Sequence, residues 1–204
     1  MKALFLTPIE ENKKQQFLDT GITCIFKEKK SVTKEDFKDI DIVFGNPDLN
    51  MIKDTSVQWI QLDSAGANAY CSIPDSIVLT NAKGAYNEAI SEHMLACTLA
   101  VYKNLVAYEK IAQKHEWTNL GSVPTISQLK VLSIGMGNIG SAYAKLMHTL
   151  GARVYGLTRT KHDLPDYLED IYTFDKIDDV HNFLCHGQLP FYLRQAFLSQ
   201  LAAL

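Results

Sequence analysis

Cysteine is sparse and isolated. The four residues, Cys24, Cys71, Cys97 and Cys185, are spread along the chain with no Cys-x-x-Cys among them, which argues against a disulfide scaffold or a zinc ribbon. An excess of one charge is equally lacking. Lys and Arg number 20 against 23 Asp and Glu, for a formal net charge of −3. That is too balanced for a nucleic-acid coat or a polybasic membrane anchor. No apolar run approaches the roughly 20 residues that span a bilayer. The opening MKALFLTPIEENKK turns charged after a few apolar residues, too soon for a signal peptide, and is expected to form a first strand. These absences lead to the expectation of a cytoplasmic protein with neither a membrane nor a nucleic acid as partner. A length of 204 residues with 47% hydrophobic content allows one or two ordinary cores.

What is present alternates. Short apolar runs at Lys2 to Thr7, Ile22 to Phe26, Asp41 to Gly45, Trp59 to Leu62 and Ile77 to Leu79 are expected strands. Helical stretches are expected at Glu10 to Thr20 and Thr33 to Asp39. Strands with helices between them predict βαβ units and a mostly parallel sheet. From Asn87 to Lys110 there is neither Gly nor Pro, and apolar residues recur at helical spacing on more than one face. That pattern predicts one buried helix of about 35 Å, long enough to join two domains. A second α/β texture begins at Leu129, with a strand KVLSIG, a helix from Asn138 to Leu150 closed by Gly151, and a strand from Arg153 to Leu157. The expected division is 1–98 and 99–204.

Gly135-Met136-Gly137-Asn138-Ile139-Gly140 reads GxGxxG. It follows an apolar strand and opens a helix, with another strand one helix later, the setting in which this spacing binds a dinucleotide. Gly135 allows the tight turn, Gly137 lets a pyrophosphate approach the backbone, and Gly140 lets helix and strand pack closely. The free N–H groups of the helix start, from Met136 to Ile139, would hold the anion. An acidic residue at the end of the next strand would accept from the ribose of NAD. Here stand Thr158-Arg159-Thr160-Lys161. Arg159 and Lys161 suit a 2′-phosphate and the threonines offer hydroxyls, so NADP(H) is expected to be preferred. Asp163 and Asp166 keep NAD possible.

At these residues the chain resembles the D-isomer-specific 2-hydroxyacid dehydrogenases. Three segments carry the resemblance: Leu62 to Asn68 (LDSAGAN); Thr80 to Gly84 (TNAKG) leading into Ile90-Ser91-Glu92-His93; and the glycine fingerprint with the Thr-Arg-Thr after it. The last is most similar to the NADP-using glyoxylate and hydroxypyruvate reductase branch. The resemblance implies a flavodoxin-like substrate domain followed by a Rossmann dinucleotide-binding domain that is partial here, with catalysis in the cleft between them. It also implies a homodimer and reversible hydride transfer between nicotinamide C4 and C2 of a small 2-keto or 2-hydroxy acid. Ser64, Ala65 and Gly66 match the family's loop of backbone amides that clamps the substrate carboxylate, a role consecutive N–H groups can fill.

The catalytic Arg, Glu and His of this family follow the Rossmann half, and no residue here is assigned to them. His93 does not match the catalytic His and is expected to be a packed or interdomain residue. After Ile177 to Val180 the pattern departs into His181-Asn182-Phe183-Leu184-Cys185-His186 and an amphipathic tail containing Arg194. That texture leads to the expectation of a truncated or frame-shifted product that is catalytically incomplete. His181, Cys185 and His186 have some ligand character but no fourth partner, so no metal site is expected. The alternative function is a non-catalytic, dimer-forming dinucleotide-binding module.

Overall fold

The computed structural model describes residues 1–160 and 163–177. They fall into two compact units, Met1–Ala85 and a second beginning at Tyr86. The mixed α/β class with parallel sheets is as expected.

The first unit is built on five parallel strands: β1 (Lys2–Phe5), β2 (Thr23–Phe26), β3 (Ile42–Phe44), β4 (Trp59–Gln61) and β5 (Val78–Thr80). Their order is β2-β1-β3-β4-β5, the flavodoxin-like winding. Side chains alternate across this sheet. Leu4, Val43, Ile60 and Leu62 enter one core with Phe37, Ile40 and Ile52, while Ala3, Phe5 and Ile42 enter the other. The second face is largely aromatic. Phe5 pairs in register with Phe26 and Phe44 on either side. Its ring stacks on both, with centroids 4.8 and 4.5 Å apart. Such cross-strand aromatic pairs reinforce the register as well as the burial. Helix α1 (Glu11–Leu18) places Phe17 against Phe5, and the one-turn helix α2 (Leu49–Ile52) buries Ile52 in the first core. The stretch at Thr33 to Asp39 forms a 3-10 turn at Lys34–Phe37 rather than an α-helix, started by a Thr33–Asp36 capping box.

The second unit contains the parallel strands β6 (Lys130–Ile134), β7 (Arg153–Thr158) and β8 (Asp170–Thr173) in the order β6-β7-β8. The single long helix expected over Asn87 to Lys110 is instead two, α3 (Asn87–Tyr102) and α4 (Leu105–Gln113). Asn104 takes a left-handed conformation (φ 54°) and ends the first helical ladder. Asn is among the few residues that enter that region at small cost, so the break needs no Gly or Pro. Helix α3 spans about 24 Å from its 16 residues. The expected boundary at 98/99 falls inside α3, which lies wholly in the second unit.

Helix α5 (Asn138–Thr149) packs on α3 and on the sheet through Tyr143, Ala144 and Met147, spaced to share one face. Between the helices the Thr98 hydroxyl donates to the Met94 carbonyl (2.8 Å), which leaves Tyr143 to donate to Thr98 Oγ1 (2.8 Å). Burial pushes the Tyr143 phenol above its ordinary pKa, opposed by the Thr98 bond. The phenol therefore stays protonated at neutral pH and satisfies both hydroxyls inside the core.

Candidate functional site

The start of α5 is shaped by three glycines with different tasks. The Gly135 N–H still donates to Leu157 O (2.8 Å), continuing the ladder, and the chain then turns at φ 86°. A Cβ on Gly140 would lie 1.9 Å from the Gly135 carbonyl oxygen and 3.1 Å from Ser133 Oγ. That position therefore admits no side chain while the turn keeps its shape. Gly137 is the opposite case. It caps α5 in extended conformation, and a Cβ added there meets no atom within 4 Å.

Two hydroxyls tie the turn from beneath. Ser133, buried, donates to Gly140 O (3.2 Å), and Ser141 Oγ donates to Met136 O (3.1 Å). No side chain caps the helix start. Among the described residues no acceptor takes the N–H groups of Asn138 or Ile139. Uncapped donors, the positive end of the helix dipole and open space over Gly137 make a fitting seat for a pyrophosphate. Gly135, Met136, Gly137, Asn138, Ile139 and Gly140 are thus gathered in one strand-to-helix turn.

At the end of β7 the three expected contact residues part company. Thr158 is buried, and its hydroxyl donates to Thr160 O (2.7 Å). It shapes the turn. Arg159 and Thr160 are exposed beyond it, as are Asp163 and Asp166. Lys161 lies outside the described residues.

The second candidate loop follows β4. Asp63 accepts from Thr7 Oγ1 (2.8 Å). Ser64 is half-buried and its hydroxyl donates to Gly66 O (2.9 Å), while Ala65 and Gly66 are exposed. The loop is fastened to the segment after β5. The Asn81 carboxamide nitrogen donates to Ala65 O (2.9 Å), and the Ala82 N–H donates to Ser64 O (3.0 Å). Among the described residues no acceptor takes the N–H groups of Ser64, Ala65 or Gly66. Three consecutive unengaged donors suit a carboxylate. Asn81 is a site residue to which the motifs alone give no task. The signal was available, because Asn two residues before a turn commonly binds its own backbone. Here Oδ1 accepts from the Lys83 N–H (3.2 Å).

His93 is exposed rather than packed, because the buried residues of α3, Ser91, Thr98 and Tyr102, lie on its other side. Its Nε2 lies 3.5 Å from Cys97 Sγ one turn on. His181, Cys185, His186 and Arg194 lie outside the described residues. Among those described, no three His, Cys, Asp or Glu residues gather as for a metal ion, and no helix is long and apolar enough to cross a membrane.

Residues 95–182 match the family model for the D-isomer specific 2-hydroxyacid dehydrogenase, NAD binding domain, the family whose likeness the motifs carry. No curated protein matches the chain. Solved structures share the fold. A D-isomer specific 2-hydroxyacid dehydrogenase family protein from Aeromonas salmonicida is 16% identical with a TM-score of 0.73, over 88% of this chain and 60% of its own. An NADPH-dependent glyoxylate/hydroxypyruvate reductase from Sinorhizobium meliloti, solved with NADP and sulfate, is 20% identical with a TM-score of 0.70, over 87% and 58%. A D-lactate dehydrogenase from Aquifex aeolicus, solved with NAD and lactic acid, is 20% identical with a TM-score of 0.68, over 85% and 56%. The chain thus spans under two thirds of the length of the solved proteins it matches.

Proposed function

We propose that this chain is a D-isomer-specific 2-hydroxyacid dehydrogenase family protein that binds a nicotinamide dinucleotide and a small 2-keto or 2-hydroxy acid. The reading gives substrate binding to the first unit, Met1–Ala85, and dinucleotide binding to the second, which begins at Tyr86. The observation that carries it is the turn at 135–140. Gly140 is forbidden a side chain by the Gly135 carbonyl, and the space over Gly137 stays open above uncapped helix N–H groups. Both follow from a backbone shaped to be approached by an anion.

In this assignment Met136 to Ile139 hold the pyrophosphate, and Arg159 with Thr160 meet a 2′-phosphate, so NADPH is preferred to NADH. Thr158 supports them by fixing the Thr160 carbonyl. When bound, the nicotinamide supplies the hydride that reduces C2 of the keto acid. The chain's own residues bind and orient. The N–H groups of Ser64, Ala65 and Gly66 hold the substrate carboxylate, and Asn81 keeps their loop in place. Two copies are proposed to associate, since Val101, Leu105 and Val106 expose apolar side chains on α3 and α4. Sedimentation of a Leu105→Asp, Val106→Asp variant as a monomer beside a dimeric parent supports this; a parent that sediments as a monomer refutes it. The free thiols of Cys24, Cys71 and Cys97 support the cytoplasm as its compartment.

Fluorescence titration with NADPH and NADH tests the reading, which fails if neither binds folded protein. A second reading, a non-catalytic dinucleotide-binding module, is favoured by the composition of the two loops. Neither 64–66 nor 135–140 contains a His, Lys or acidic residue to deliver the proton that reduction at C2 requires. NADPH oxidation with glyoxylate and hydroxypyruvate separates the two. Turnover selects the enzyme, and binding without turnover selects the module.

A further inference from the structure

A cleft of about 430 Å³ opens within the first unit, lined by Ala67, Leu79, Thr80, Asn81 and Lys83. It adjoins the 64–66 loop, because Ala67 continues that loop and Asn81 donates to its Ala65 carbonyl. The polar groups around it are mostly committed. Thr80 Oγ1 accepts from Trp59 Nε1 (2.8 Å) and donates to Gln61 Oε1 (2.7 Å). The Asn81 carboxamide uses its nitrogen on Ala65 and its oxygen on the Lys83 N–H.

Two kinds of donor remain: the three backbone N–H groups of 64–66 and the Lys83 ammonium. Lys83 is exposed and pairs with no carboxylate among the described residues. The lining includes no acidic side chain. Asn81 ties the two segments together, donating to the Ala65 carbonyl with one end and accepting from the Lys83 backbone N–H with the other.

One cation in a cleft that adjoins an anion-ready loop, with no acidic side chain in the cleft lining, is a place for a second negative charge. We infer that the substrate is a 2-keto acid carrying a second anionic group farther along its carbon chain, and that Lys83 is the residue that selects it. The inference rests on the reading of Ser64, Ala65 and Gly66 as the carboxylate loop. It departs from the short, singly charged acids, glyoxylate and hydroxypyruvate, that the resemblance suggests. The second group is a carboxylate or a phosphate, and either meets a lysine as a point charge.

Binding is read through Trp59, which bonds to the cleft-lining Thr80. The only other tryptophan, Trp117, is fully exposed and is removed as Trp117→Phe. The NADPH-mixed chain is titrated with pyruvate, 2-oxoglutarate and 3-phosphohydroxypyruvate, in parallel with Lys83→Gln and Lys83→Arg. At least one doubly charged acid is expected to bind roughly fivefold tighter than pyruvate, as for an exposed ion pair. The arm that gains identifies carboxylate or phosphate. Lys83→Gln abolishes the preference without changing pyruvate affinity, and Lys83→Arg restores it. Equal affinities for all three acids, or a preference that survives Lys83→Gln, overturn the inference and leave the loop assignment standing. Failure of every acid to bind folded protein overturns both.

Discussion

Replacing Gly137 by Ser separates what the fold needs from what a dinucleotide needs. Gly137 is the N-cap of α5, with φ −75° and ψ −169°, a conformation open to any residue. Nothing lies within 4 Å of a Cβ placed there, so the substitution introduces no clash. Ser is a better N-cap than Gly by a few tenths of a kcal/mol, because its hydroxyl accepts from the N–H of the second or third helical residue, Ile139 or Gly140. The variant is therefore expected to melt at the same temperature as the parent or about 1–2 °C higher. The dinucleotide should respond in the opposite sense. The new side chain occupies the approach over Gly137 and draws off donors that the pyrophosphate would use. A hydrogen bond to a charged group contributes about 1.5–3 kcal/mol, so losing one weakens NADPH roughly 10- to 150-fold. Calorimetric titration beside thermal melts reads both quantities. Unchanged NADPH affinity in a variant of unchanged or raised melting temperature would refute the claim that these amides hold the pyrophosphate.

Gly140→Ala should do the reverse at the level of the fold. Its Cβ would overlap the Gly135 carbonyl oxygen, a backbone atom that cannot swing away. A cost of about 1–3 kcal/mol or more should appear as a melting temperature lower by several degrees. Arg159→Gln is expected to weaken NADPH roughly tenfold while leaving NADH unchanged; equal losses for both cofactors in titrations would exclude a 2′-phosphate contact. Asp36 gives a pH signature. Its hydrogen bonds from Lys27 and from the Thr33 backbone lower its pKa in the folded state. Its ionised form therefore adds stability above the ordinary carboxylate range, and that contribution is lost as pH falls through the lowered value. Urea midpoints of Asp36→Asn should lie below the parent at pH 7 and meet it in acid.

The parts of the molecule most legible in sequence are those where one physical demand fixes the residue. The runs KALF, TCIF and IVF alternate toward two cores, and each became a strand within a residue or two of its expected limits. Gly135 and Gly140 are legible because a turn at φ 86° favours glycine and a 1.9 Å approach to a backbone oxygen excludes every side chain. Features decided by a single neighbour stayed hidden. The break between α3 and α4 rests on Asn104 taking a left-handed conformation, which Asn permits without requiring. Strand β8 carries only Ile171 and Tyr172 as apolar residues and is defined by its pairing to β7. Thr158 looked like a ligand because it ends β7, yet its hydroxyl faces inward to the Thr160 carbonyl. The role of Asn81 depends on the Ala65 carbonyl, 16 positions earlier in the chain, and separation in sequence conceals such a bond.

That carboxamide also makes the first unit vulnerable to chemical ageing at one atom. Deamidation of Asn81 to aspartate exchanges an NH₂ for an oxygen of similar size. The donor to Ala65 disappears, two oxygens face each other across 2.9 Å, and a new negative charge arrives next to Lys83. A sample stored long enough to deamidate would keep its strands and its melting behaviour largely intact while losing the poise of both loops together, so a faded preparation could pass every test of folding.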